Sequence, residues 1–176
     1  MRVGPVLLDE QRIASRVAEM GEQITADYAG RDLLLVAVLK GAFMIVADLA
    51  RQIRLPLDID FMAVSSYGHA TTTSGVVRIL KDLDAEIAGR HVLIVEDIID
   101  SGLTLDYLRR NLEVREPASV EIATLLLKTG IQRVPLDVRY VGFEIPADFV
   151  IGYGLDLYGK MRNLPHVALM VDDGAP

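Results

Sequence analysis

Three carboxylates, Glu96, Asp97 and Asp100, fall within five residues of one another, and Ser101-Gly102-Leu103-Thr104 follows directly. An ionised carboxylate is a pure acceptor that suits sugar hydroxyls or a hard cation. Small and hydroxyl residues at the start of a helix leave backbone N–H groups and the positive end of the helix dipole open to a phosphate. Together they suit a ligand that is phosphorylated and either rich in hydroxyls or metal-bound. A capped strand–loop–helix unit with an acidic surface turn has the same outline, so the chemistry needs the surrounding elements to support it. Neither GxxxxGK[ST] nor GxGxxG occurs in the chain, which disfavours the commoner phosphate-binding loops.

The elements on either side supply a frame. Val92–Val95 is a short run of β-branched and apolar residues after Gly89-Arg90, and reads as a buried strand. Leu105, Leu108 and Leu112 recur at helical spacing, so a helix is expected from Thr104 to about Val114. Upstream, Asp9 is a candidate N-cap for a helix carrying Ile13, Val17, Met20, Ile24 and Tyr28, ended by Gly30. Leu33–Leu39 is a continuous apolar strand with Lys40-Gly41 at its carboxyl end. Phe43–Ile53 reads as a helix broken at Leu55-Pro56, and strands follow at about Asp58–Ser65 and Val76–Leu80, expected as an antiparallel pair. Ser66–Gly75, SYGHATTTSG, joins them and reads either as a surface loop or as a lid. Ser119–Leu127 is a long apolar strand ending at Lys128, and Tyr140–Phe143, Phe149–Tyr153 and Val167–Val171 are shorter ones. The alternation predicts an α/β fold with a mainly parallel, doubly wound sheet. Ligands of such sheets sit beyond the carboxyl ends of the strands, where Lys40-Gly41, Glu96–Thr104, Lys128 and Asp156 all fall.

Composition narrows the class. The chain has 176 residues, 51% of them hydrophobic, a formal net charge of −7 and no cysteine. The length suits one domain over 1–176 and the charge argues against broad nucleic-acid or membrane-surface binding. A disulfide, a cysteine–zinc site and a thiol nucleophile are excluded. The N-terminus lacks the apolar core of a secretory signal, and no apolar run approaches the length of a membrane helix, so a cytoplasmic location is expected. His69, His91 and His166 are too scattered to suggest a metal site.

The segments VLKGAF (38–43), SSYG (65–68), KDLD (81–84), VLIVEDIIDSGLTL (92–105), LLLK (125–128), VGFEIP (141–146), FVIGYGLD (149–156) and MRNLPHV (161–167) keep an order that resembles the hypoxanthine-guanine phosphoribosyltransferases. These are the 6-oxopurine branch of the type I phosphoribosyltransferases. The VLIVEDIIDSGLTL stretch alone resembles the phosphoribosyl pyrophosphate (PRPP) motif of the whole superfamily, and the segments after it point to the branch. The resemblance implies a mainly parallel twisted sheet flanked by helices, a small hood and a flexible lid loop. It implies transfer of the 5-phosphoribosyl group from PRPP to hypoxanthine or guanine, with Mg2+ as cofactor and a homo-oligomer, dimer or tetramer. By the same resemblance Glu96 and Asp97 take the ribose hydroxyls and a metal, and Asp100 is the catalytic base at purine N7. Ser101, Gly102, Leu103 (by its backbone) and Thr104 hold the 5′-phosphate. Lys40, Gly41 and Arg162 lie at the pyrophosphate, Lys40-Gly41 through an unusual, often cis, backbone, and Asp156 takes a second metal. Lys128 donates to the 6-oxo group, Phe149 stacks on the purine with the Val150 backbone at its edge, and Ser66 and Tyr67 belong to the lid.

Two departures stand out. Ala147 precedes Asp148 where the family carries an acid directly after IP, and Leu157-Tyr158-Gly159 is less polar than usual after GLD. Taken singly, each residue also has an ordinary reading: Lys128 snorkelling from a strand end, Phe149 as core, Arg162 as a solvated cation, Asp156 capping a turn. A rival of another class is a PRPP-sensing regulator that kept the fold and lost catalysis; a xanthine-preferring transferase is a rival of the same class.

Overall fold

The computed structural model describes residues 2–66 and 77–171. Its elements run β1 (Arg2–Leu8), α1 (Glu10–Asp27), β2 (Leu33–Leu39), α2 (Phe43–Gln52), β3 (Leu57–Ser66), β4 (Val77–Lys81), β5 (His91–Ile99), α3 (Leu103–Glu113), β6 (Ser119–Lys128), β7 (Tyr140–Ile145), β8 (Val150–Ile151) and β9 (Val167–Val171). A six-stranded sheet has the order β4-β3-β2-β5-β6-β7, parallel except for β4, which pairs antiparallel with β3. A second sheet of three antiparallel strands, β1-β9-β8, forms the hood.

Why β2 and β5 lack alternation is plain from what covers them. Leu33, Leu35, Ala37, Leu93 and Val95 pack with α1 and α2 on one face. Leu34, Val36, Val38, Val92 and Ile94 pack with Leu105, Leu108 and Leu112 of α3 on the other. Both faces are buried over 33–38 and 92–95, so every one of those positions is apolar. Asp9 caps α1 as expected, its Oδ1 accepting from Arg12 N at 2.8 Å.

Several boundaries differ from the sequence reading. β1 has no counterpart in it: Arg2–Leu8 becomes a strand only because Val167–Val171 lies alongside, a partner more than 150 residues away. β5 extends beyond Val95 to Ile99, so Glu96 and Asp97 lie on the strand and not in the turn. α3 starts at Leu103, one residue early, and β8 is only Val150–Ile151, with Phe149 just outside it. Asp156 therefore follows a hood strand and not a strand of the main sheet. β4 begins at Val77, and the 67–75 part of the expected lid, Tyr67 included, lies outside the described residues; Ser66 is the last residue of β3. Among the described residues no helix is long and apolar enough to cross a membrane.

Candidate functional site

Parallel pairing of β5 with β6 assembles the first part of the site. Ile99 is in register with Leu127, so the next residues along each strand, Asp100 and Lys128, emerge side by side. Lys128 Nζ lies 2.7 Å from Asp100 Oδ1, the lysine side chain 11% exposed and the aspartate 56%. The buried ammonium thus has its counter-charge at the mouth of the site. Beyond Asp100 the chain turns into α3, whose N-cap Gly102 brings no capping side chain and leaves the helix N-terminus open. Glu96, Asp100, Ser101, Gly102 and Thr104 line one cavity of about 210 Å³.

Glu96 lines the cavity beside Val38 and Leu105, and its neighbour Asp97 on β5 lies close enough for the two carboxyls to interact. Asp97 faces Gly41: a Cβ built on Gly41 would lie 1.7 Å from Asp97 Oδ2. The Leu39–Lys40 peptide just before it is cis, as the family resemblance implies. Gly41 also touches the hood, since a Cβ on Gly154 (φ +97°) would sit 2.1 Å from the Gly41 carbonyl oxygen. Only glycine fits either position. Arg162 donates through Nη1 to Gly154 O at 2.5 Å and pairs through Nη2 with Asp156 Oδ1 at 2.5 Å. Asp156 Oδ2 also accepts from Gly159 N at 2.6 Å. Lys40 is exposed, and Leu103 is half-buried in the first turn of α3. Val150 is buried, whereas Phe149 is 47% exposed, so the core reading of that ring fails and the ring is free to meet a ligand.

Sequence reasoning missed the segment that straps this loop down. Arg133 N donates to Ser101 O at 2.9 Å, and Gln132 Nε2 donates to Lys128 O and, at 3.5 Å, to Asp100 O. A Cβ on Gly102 would meet Leu136 Cδ1 at 2.6 Å. Nothing in IQRVPLD announces this role, because it depends on where the β6–β7 connection lands.

Two carboxylates buried side by side resist ionisation. Burial pushes the Asp97 carboxyl up to about 6, against its hydrogen bond from Ile98 N and the nearby Arg162 charge, while Asp100 adds to the rise. Glu96 is raised well above the ordinary carboxylate range, by burial first and the Asp97 charge second. The folded chain therefore holds protons that the unfolded chain releases near pH 4, and stability from these groups is lost as pH rises through the window between. In EDTA, wild type is expected to lose stability relative to Asp97→Asn from pH 4.5 to 7, by on the order of 2 kcal/mol, at about 1.36 kcal/mol per pH unit up to the folded value of about 6. Denaturant melts of both proteins at several pH values check this; a constant difference contradicts it.

Comparison with known proteins places this arrangement. The family model described as a phosphoribosyl transferase domain matches residues 6–157. The hypoxanthine-guanine phosphoribosyltransferase of Mycobacterium bovis is 54% identical over 171 residues, covering 94% of this chain and 85% of its own. The hypoxanthine phosphoribosyltransferase of Escherichia coli is 47% identical over 168 residues, covering 94% of both. Among solved structures, a hypoxanthine phosphoribosyltransferase from Staphylococcus aureus superposes with a TM-score of 0.93 at 43% identity, over 96% of this chain and 92% of that one. A hypoxanthine-guanine phosphoribosyltransferase from Bacillus anthracis, with a HEPES molecule in its active site, gives 0.93 at 44% identity, over 97% and 100%. A two-sheet architecture, an open helix N-terminus beside paired acids, and near-half identity along almost all its length make this chain a member of the hypoxanthine-guanine phosphoribosyltransferases, within the phosphoribosyl transferase family.

Proposed function

We propose that the chain acts as one phosphoribosyltransferase domain over 1–176, moving the 5-phosphoribosyl group of PRPP to N9 of hypoxanthine or guanine. The products are IMP or GMP and pyrophosphate. The observation that carries this reading is the Lys128–Asp100 pair at 2.7 Å, beside the open N-terminus of α3. The 6-oxo and N7 atoms are neighbours on one purine edge, so an ammonium donor and a carboxylate acceptor held together match that edge.

In the reaction the bond from C1′ to the pyrophosphate oxygen breaks, N9 bonds to C1′, and the base gives up one ring proton. Asp100 takes that proton at N7. Lys128 fixes the base through its 6-oxo group, with Phe149 stacking and the Val150 backbone at the ring edge. Ser101, Gly102, Leu103 and Thr104 hold the 5′-phosphate with backbone N–H groups and hydroxyls. Glu96 and Asp97 take the ribose hydroxyls. Lys40, Gly41 and Arg162 receive the pyrophosphate, the arginine by its charge while Gly154 O and Asp156 hold its guanidinium in place. Ser66 and Tyr67 belong to the loop that keeps water from the sugar cation.

Mg2+ is the proposed cofactor. No cluster of three ligating side chains exists among the described residues. Magnesium bound by one or two carboxylates and the substrate's own phosphates needs none, and the raised Glu96 and Asp97 carboxyls are groups that a cation would help to ionise. Asp156 is the side chain for a second ion. When bound, the metal neutralises charge developing on the leaving pyrophosphate.

A homo-oligomer, dimer or tetramer, fits the exposed apolar side chains Phe43, Ile59 and Leu80 on α2, β3 and β4. A cytoplasmic location, with no nucleic-acid or membrane partner, fits the −7 charge. The test of the function is direct: PRPP, Mg2+ and hypoxanthine are mixed with the protein and IMP is measured, with guanine and xanthine run in competition. PRPP binding without turnover would favour a sensor, and preference for xanthine the other rival.

Lys128→Met should raise KM for hypoxanthine by about 10–100-fold, the worth of a hydrogen bond from a charged donor. The KM for PRPP should move far less. Equal changes in both would remove Lys128 from the base subsite.

A further inference from the structure

Tyr153 sits in the left-handed region at φ +48°, where a side chain is disfavoured, directly before Gly154. Such a conformation persists only where surrounding contacts dictate it. Here they do. The ring is 8% exposed and packs into the core shared by α1 and α2. Tyr153 N donates to Leu164 O at 2.9 Å, and the phenol donates to Asp48 Oδ2 of α2 at 2.5 Å. Burial, then the bond to Asp48, pushes the phenol's pKa far up, so it remains a donor at any working pH. Asp48 also pairs with Arg51, one helical turn on.

The consequence lies in what Tyr153 holds. Gly154 is the next residue, pressed against the Gly41 carbonyl. Gly154 N donates to Arg162 O at 3.0 Å, and its own carbonyl accepts from the Arg162 guanidinium at 2.5 Å. Gly41 in turn abuts Asp97. Every group fixed by Gly154 thus belongs to the pyrophosphate side of the site, and Lys128 and Phe149 are not among them.

We propose that the Tyr153–Asp48 hydrogen bond is a latch between hood and α2, and that Tyr153 is a positioning residue for PRPP, acting through Gly154 on Gly41 and Arg162. This rests on the transferase reading above. The effect belongs to one substrate: loosening the latch weakens PRPP and pyrophosphate and leaves the base subsite alone.

Tyr153→Phe removes one oxygen, keeps the buried ring and tests the idea in the full chain. The Kd for PRPP with Mg2+, by calorimetry, should rise about tenfold, in line with loss of a hydrogen bond to a charged acceptor. The KM for PRPP and the pyrophosphate inhibition constant should follow, while the KM for hypoxanthine stays within about twofold of wild type. Asp48→Ala should reproduce the effect, Asp48→Asn, which keeps an acceptor, should restore most of it, and the double variant Tyr153→Phe/Asp48→Ala should be no worse than either single one. An unchanged PRPP Kd in Tyr153→Phe, equal weakening of both substrates, or additive singles would each overturn the latch. A wild type that binds PRPP and makes no IMP overturns the transferase reading instead, and the calorimetric arm still decides the latch.

Discussion

Replacing Asp100 by Asn is expected to lower kcat by about 10²–10⁴-fold, the usual worth of a positioned proton acceptor, while the KM for PRPP changes little. The substitution is close to isosteric. An amide oxygen can still accept from Lys128 Nζ, now 2.7 Å from the carboxylate, so the base subsite keeps its shape. What the amide cannot do is take up a proton from N7. The residue also lies at the rim, with its side chain 56% exposed, so the change should leave the core undisturbed. A steady-state comparison with each substrate varied in turn separates the terms, because loss confined to kcat marks an interaction made in the transition state. Near-normal kcat in Asp100→Asn would remove this residue from proton transfer, and a rise in the purine KM alone would reduce it to a binding group.

Gly41→Ala should be nearly as damaging, at the other end of the site. The new methyl would fall 1.7 Å from Asp97 Oδ2 and 2.5 Å from its Cγ, well inside any tolerable contact. Relief on the hood side is closed off, because Gly154 already crowds the Gly41 carbonyl. The carboxylate must therefore swing away, breaking the bond that Asp97 Oδ1 accepts from Ile98 N at 2.8 Å. A displacement of about 1 Å in a catalytic constellation costs on the order of 10²-fold, and kcat/KM for PRPP is expected to fall by at least that. The protein should still fold, since a short side chain moves more easily than a strand. Circular dichroism establishes the fold and PRPP titration the defect. Wild-type affinity in this variant would mean that the pyrophosphate end of PRPP lies away from Gly41 and Asp97.

These two expectations draw on different kinds of information. The acidic turn that carries Asp100 was legible in the chain, because an apolar strand, an acidic step and a small-residue turn into a helix are neighbours in sequence; its role as a base came from the resemblance. Local pattern also located β2, β6 and most of the helices, since burial on both faces writes itself as an unbroken apolar run. Gly41 was placed at a strand end by local pattern and at the pyrophosphate by resemblance. Its real constraint is a carboxylate more than fifty residues away, which no local pattern encodes.

The sequence by itself determined the strand–turn–helix over 91–113 and the acidic and small residues that it presents, because hydrophobic periodicity and helix-start chemistry act over a few residues. Only the tertiary structure decided which groups meet. The register of β5 on β6 brings Asp100 to Lys128, and the packing of the β2–α2 turn on β5 brings Gly41 to Asp97. Pairing of the two chain ends builds the hood, and a left-handed tyrosine seats its loop on Gly41. Such contacts are chosen by the packing of distant segments, whose free energy belongs to the assembled fold and to no single stretch of chain.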